Sequence, residues 1–184
     1  MEIRQRIIKS CQEIAKTRGF HRITVDELAR CAGISKRTLY KRFSSKDEIL
    51  EAAVNLFIKD VGAESDRILE SEKDIREVLY KIISYLMTRG QFLINRRVLE
   101  DLNWYYPDLW QKVNAFRMER IELVVKRADK YCYKKGIDPT VLAAVFIAAV
   151  QTVVNPEFLV KNELSFEEII EQLTRIFLPA FSSE

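Results

Sequence analysis

Histidine is almost missing from this chain, cysteine is scarce and glycine is thinly spread: one His, three Cys and five Gly among 184 residues. A metal centre needs clustered ligands. His21 with Cys11, Cys31 and Cys132 offers neither a CxxC pair nor a Cys/His group. An odd cysteine count also argues against a disulfide framework. Each cysteine falls in a helical pattern, where it reads as a small buried hydrophobe in a reducing compartment. No glycine-rich phosphate cradle and no nucleophile paired with a base stands out, so no catalytic residue and no cofactor is expected. His21 follows Phe20 in a turn and reads as a surface residue. The longest uncharged apolar run, Val141 to Val154, falls short of the ~18 residues of a spanning helix. Residues 1–20 carry charges throughout, unlike a secretory leader. The expectation is a soluble, cytoplasmic protein with no membrane partner.

What is present is a globular composition, 48% hydrophobic and 31% charged. Its charge is uneven. Residues 1–60 hold 13 Lys/Arg against 8 Asp/Glu, a net of +5, whereas residues 61–184 hold 17 against 19, a net of −2. A basic head on a slightly acidic body fits a polyanion partner for the head alone.

The pattern is helical from end to end. Ile3, Ile7, Cys11, Ile14 and Ala15 recur at helical spacing and Gly19 stops that helix. Thr24 to Glu27 has the form of a capping box, with Ile23 and Leu28 at its staple positions. Val25, Leu28, Ala29 and Ala32 then form a stripe, ended by Gly33. Ser35 caps the next helix, read as 36–43, and a box from Ser45 to Glu48 opens a longer one. Gly62 to Asp74 is polar and reads as a frayed helix end or loop. Further helices are expected near 74–88, 91–103 and 108–134. Asp138-Pro139 starts another that Asn155-Pro156 terminates, and Ser165 to Glu168 opens the last. The fold is expected to be all-α with about nine helices.

Thr24 to Lys46 carries the functional signal, two short helices around a glycine turn. An α-helix advances about 100° per residue. Leu39 and Phe43 therefore define the buried side of the second helix, and Arg37 and Lys41 fall almost opposite. Thr38 and Tyr40 flank that pole with hydroxyls suited to phosphates, while Lys36 and Arg42 lie on the shoulders. Arginine is the usual bidentate partner of guanine, so Arg37 is expected to contact a base, with Lys41 beside it. Thr24 and Lys46 stand at helix starts, where free amides favour an anion.

These residues resemble the DNA-binding domain of the TetR family of bacterial transcriptional regulators. The likeness covers residues 3–58: Gly19-Phe20, Thr24 before LAR, AGISK-x-TLY from Ala32 to Tyr40, and Phe43 followed by SKDEIL. The resemblance implies a three-helix, homeodomain-like helix-turn-helix domain, here 1–46, joined to a helical effector-binding and dimerisation domain, 47–184. By position it assigns DNA-contact roles to Thr24, Ser35, Lys36, Arg37, Thr38, Tyr40 and Lys46. Many members carry a second aromatic where this chain has Arg42, so no aromatic phosphate contact is assigned there. With no extension before the first helix, no minor-groove arm is expected.

The body carries its own pattern. Residues 140–154 lack charge and are apolar nearly all round, which requires burial on more than one side. The last helix, with Ile169, Ile170, Leu173, Ile176 and Phe177, has a broad apolar face. The resemblance implies that helices 140–154 and 166–178 pair with their copies in a homodimer. Periodicity alone fits a central core helix equally well. Tyr85, Phe92, Trp104, Tyr105, Trp110 and Phe116 crowd the middle, and the resemblance places an effector pocket there, for a small apolar or aromatic molecule. Arg96 and Arg97 read as solvated charge, with an anionic head group as the alternative role. The expected function is sequence-specific DNA binding by a ligand-responsive repressor on a near-palindromic operator. Two alternatives stay open: a helical dimeric scaffold with non-specific DNA affinity, and the DNA-reading module of a recombinase-like enzyme.

Overall fold

The computed structural model describes residues 2–89, 92–93, 95–128 and 136–180, and every regular element among them is helical. The first three helices form the head: α1 (Ile3–Arg18), α2 (Val25–Cys31) and α3 (Lys36–Tyr40). The caps behave as the spacing requires. The Glu27 amide donates to Thr24 Oγ1 at 3.2 Å, and the Glu27 carboxylate accepts from the Thr24 amide at 3.1 Å. Ser35 Oγ accepts from the Thr38 amide at 3.1 Å. Between α2 and α3 the chain reverses through Gly33 at φ +64°. There the Ile34 amide reaches back to the Ala29 carbonyl at 2.9 Å and Gly33 to Arg30 at 3.1 Å, the pairing of a Schellman turn. The Arg6 guanidinium caps the same turn on the Ala32 carbonyl.

Three expectations change here. α3 ends at Tyr40 rather than at 43, although the Phe43 amide still bonds the Leu39 carbonyl at 3.1 Å and both side chains are buried. Cys11 is buried, and burial pushes its thiol up to about 12, but Cys31 is exposed. Cys31 ends α2 outside the stripe formed by Val25, Leu28, Ala29 and Ala32. Cys132 lies outside the described residues. At the start of α4 (Lys46–Ser71), Ser45 accepts from the Glu48 amide, but the Glu48 carboxylate returns to the Ser44 amide instead, at 2.6 Å.

The body follows as α4, α5 (Ile75–Arg89), α6 (Arg96–Tyr105), α7 (Pro107–Ala128), α8 (Pro139–Val153), α9 (Pro156–Lys161) and α10 (Phe166–Phe177). α4 runs unbroken through Gly62, so the loop expected at 62–74 shrinks to the few residues after Ser71. Val61, Ser65 and Ile68 are buried at i, i+4 and i+7. Packing of that stripe outweighs the roughly 1 kcal/mol that a mid-helix glycine costs. Gly62 also lets the Phe116 ring of α7 approach to 3.4 Å of where a Cβ would stand. A helix beyond the nine expected, α9, arises where Asn155-Pro156 was expected only to terminate. Asn155 Oδ1 accepts from the Glu157 amide at 2.9 Å, so the pair acts as N-cap and first helical residue.

The head's core does not stop at residue 46. Ile7, Phe20, Leu28 and Leu39 pack with Ile49, Leu50 and Val54 of α4, and the cluster continues through Phe57 and Phe92 to Val98 and Leu102 of α6. A second core joins Val150 and Val154 to Leu159 of α9 and Ile169, Leu173 and Phe177 of α10. No described helix is long and apolar enough to cross a membrane.

Candidate DNA interface and effector cavity

α3 is held from behind and free in front. Leu39 and Phe43 are buried in the head core, and the guanidinium of Arg4 lies 4.2 Å from the Phe43 ring centroid. The side chains of Arg37 and Lys41 are exposed and have no hydrogen bond or ion pair among the described residues. Tyr40 is half exposed. Ser35 Oγ and Thr38 Oγ1 share a hydrogen bond at 2.9 Å. Lys36 reaches across to Asp26 of α2 at 3.1 Å, an exposed ion pair of about 0–1 kcal/mol that a phosphate can displace. Lys46 is committed: its Nζ donates to the His21 carbonyl at 3.1 Å.

α6 grips the head at the far end of α1. Asn95 Nδ2 donates to the Lys16 carbonyl at 2.8 Å and Arg97 to the Thr17 carbonyl, which satisfies acceptors that α1 leaves open at its C-terminus. Asp101 accepts from the His21 amide at 2.8 Å. This approach requires Gly19, at φ +75°, since a Cβ there would stand 2.3 Å from Asp101 Oδ2. The His21 ring stacks on Tyr105 at 3.9 Å between centroids. Nothing in the sequence pointed to this joint, because Asp101 reads as one exposed charge among many.

The body holds an apolar cavity of about 240 Å³. Phe57, Val61 and Ser65 of α4 form one wall, α7 a second, and α8 and α10 contribute Phe146 and Leu173. Of the aromatics singled out from sequence, Trp110 and Phe116 are on this wall. Phe92 is instead buried at the junction, its ring 5.6 Å from that of Phe20 and 5.8 Å from that of Phe57. Tyr85 packs against the same cluster from its rim. Trp104 is 73% exposed and Tyr105 55%, both off the cavity. Arg96 pairs with Glu100 at 3.0 Å, and Arg97 serves α1. Among the described lining residues the two cations are Arg117 and Arg120. A signal for them existed: Val113, Arg117 and Ile121, like Phe116, Arg120 and Val124, place a cation inside an apolar i, i+4, i+8 row. Burial pulls the Arg117 guanidinium down to about 10, so it remains a cation near neutral pH. No group of three or more His, Cys, Asp or Glu suited to a metal occurs among the described residues.

The model for bacterial regulatory proteins of the tetR family matches residues 7–59. Over 185 residues the chain is 29% identical to YvaF of Bacillus subtilis (strain 168), an uncharacterized HTH-type transcriptional regulator, covering 98% of this chain and 96% of that protein. Over 157 residues it is 30% identical to the nucleoid occlusion factor SlmA of Aliivibrio fischeri (strain MJ11), covering 80% of each. Among solved structures it resembles AibR in complex with isovaleryl coenzyme A and operator DNA. That likeness has a TM-score of 0.64 at 18% identity, over 98% of this chain and 100% of that one.

Proposed function

This chain belongs to the TetR family and is a DNA-binding regulator of transcription, and from that premise we propose that it is a ligand-responsive repressor acting as a homodimer on a near-palindromic operator. The carrying observation is α3 with the turn that follows it, where the Arg37 and Lys41 side chains are exposed and unpaired among the described residues while Leu39 and Phe43 anchor them from behind. Arg37 reads a base edge, with Lys41 beside it, and Tyr40 and Thr38 take phosphates. Ser35, Lys36, Thr24 and Lys46, at the starts of α3, α2 and α4, add contacts to the DNA backbone in this reading. The functional division is a reading head, 1–46, and an effector-binding and dimerising body, 47–184, even though their apolar core is continuous. The strand-bearing catalytic domain that a recombinase needs has no counterpart among the described residues.

Dimerisation is supported by what the single chain leaves wet. α8 carries no charge, yet Val141 is 60% and Val145 52% exposed, and Ile176 of α10 is 66% exposed. A second copy covering these faces would set two α3 helices about one DNA turn or somewhat more apart. The body's cavity takes the effector, a small apolar or aromatic molecule; AibR, a protein of this fold, has been solved in complex with isovaleryl coenzyme A and operator DNA. α4 is the lever: Ile49 and Leu50 are in the head core, and Phe57 and Val61 are on the cavity wall. An effector that fits one spacing of the heads better than the other shifts the population and with it DNA affinity. Such a regulator works beside the chromosome, in the cytoplasm.

Selection of bound fragments from randomised duplex DNA tests this reading. The expected product is a near-palindrome with half-sites about one turn or somewhat more apart. Recovery of no motif, with binding that collapses on modest salt, would leave a helical scaffold with non-specific affinity.

A further inference from the structure

Among the described residues, the cavity wall is apolar except for Ser65, Thr174 and two guanidinium groups of α7, and none of those lining residues is a carboxylate. Those two cations are not equivalent. Arg120 is ion-paired behind the wall with Asp66 of α4 and with Glu119. Arg117 has no carboxylate partner among the described residues and donates only to the Val154 carbonyl and the Asn114 side chain. The Nε–H of both groups is buried without an acceptor. The ring of Trp110 lies 5.6 Å from the Arg117 guanidinium carbon, and that of Phe116 lies 5.4 Å from the Arg120 carbon. Among the described residues, the chamber thus has room for an apolar body, one positive charge without a carboxylate partner, and two guanidinium donors without an acceptor.

A wholly apolar guest would leave Arg117 buried without a counter-charge, and a cationic guest would add repulsion in a medium of low dielectric. A multiply charged phosphate head would bring more negative charge than the single uncompensated guanidinium can match. A monoanion on a hydrocarbon chain answers all three terms, because a carboxylate accepts charge-assisted bonds from guanidinium N–H groups.

Resting on the reading of the body as an effector site, we propose that the cavity takes an amphiphilic monoanion, a hydrocarbon chain ending in a carboxylate. Its head sits on Arg117, with Arg120 as second donor, and its chain lies along the wall formed by Val61, Phe116, Phe146 and Leu173. Arg117 sets the preference for charge, and the apolar wall sets the preference for length.

Titration calorimetry of the full chain with sodium octanoate, decanoate and dodecanoate, against decan-1-ol and decylamine, decides it. Decanoate should bind at least about tenfold tighter than decanol, with no binding of protonated decylamine. Each added methylene should tighten binding about fourfold until the chamber is full. Arg117→Met should reduce decanoate to the affinity of decanol while leaving decanol unchanged, which also reports that the cavity is folded. Arg117→Lys should restore part of the preference, and if Arg117→Met does not fold, this variant and the wild-type alcohol comparison still decide. Equal binding of decanol and decanoate, tighter binding of decylamine, or full decanoate preference in Arg117→Met would overturn the head-group assignment and leave the effector cavity standing. No binding by any of the five probes would overturn the inference and remove the effector half of the proposed function, while DNA selection would still report on the head.

Discussion

On α3 the cations stand outside and the apolar residues inside, whereas on α7 two cations share the inward rows with valine, isoleucine and phenylalanine. The Arg37 side chain is exposed and has no partner among the described residues. Water satisfies it, so leaving it free costs the head nothing, and it stays available to a polyanion. Arg117 is half-buried and its Nε–H is buried without an acceptor, so its position draws on packing, a carbonyl and, in our proposal, a guest. In our proposals the same side chain marks a surface for DNA in one region and the chemistry of a chamber in the other. Burial, not residue type, separates the two roles.

The largest expected effect comes from breaking the body's outer face. Val145→Asp places a charge where α8 is proposed to meet its copy. Sedimentation should show monomers, and operator affinity should fall by about 100-fold or more with the loss of two-headed binding. A dimeric variant with full affinity would remove α8 from the interface.

Within the head, Leu39→Ala and Arg37→Ala separate anchoring from reading. Leu39 is fully buried, and its truncation should cost about 2–5 kcal/mol of stability, with DNA binding lost alongside. Arg37→Ala should leave Tm nearly unchanged, yet cost about 1–3 kcal/mol of specific binding and relax preference at one position of each half-site. If both variants merely lower Tm, α3 is an ordinary solvated helix.

Lys46 gives a finer distinction, since its Nζ is engaged by the His21 carbonyl. A phosphate role predicts that Lys46→Ala weakens all DNA sequences alike and lowers the salt slope by about 1 per protomer. An unchanged slope with a lower Tm would assign Lys46 to holding the loop before α2.

The smallest effect is acid sensitivity at the caps. The Thr24 amide, then the Thr24 hydroxyl, then Arg18 and Arg30 hold the Glu27 carboxyl below its ordinary value of 4.5, and Ser165 does the same for Glu168. With the folded value depressed, this stabilisation is present above the unfolded value and disappears as pH falls through the folded one. Melting curves across that acid range should lose part of their pH dependence in Glu27→Gln, because glutamine keeps the capping geometry without titrating. An unaltered profile would show that Glu27 does not titrate with folding.

Helix starts were legible because a cap is a local event: Thr24, Ser35, Ser45, Asp138 and Ser165 each need only the amides two or three residues ahead. The outward face of α3 was legible for a similar reason, since two buried residues orient so short a helix. Where local signals were ambiguous, packing decided. Gly62 read as a break until Val61, Ser65 and Ile68 were seen buried, and Asn155-Pro156 read as a stop although the same pair starts α9. The aromatics were legible as a group but not as individuals. Trp110 and Phe116 reach the cavity while Trp104 and Tyr105 do not, because which side of a helix is inside depends on neighbours distant in sequence.

By itself, then, the sequence determined what short-range chemistry can determine: an all-helical chain, its capped starts, the outward basic face of its third helix and its basic head. Tertiary structure alone decided the grip of α6 on α1, the continuity of the core past residue 46, and the enclosure of Arg117. Each of these rests on contacts between residues tens of positions apart, which no local rule of spacing encodes.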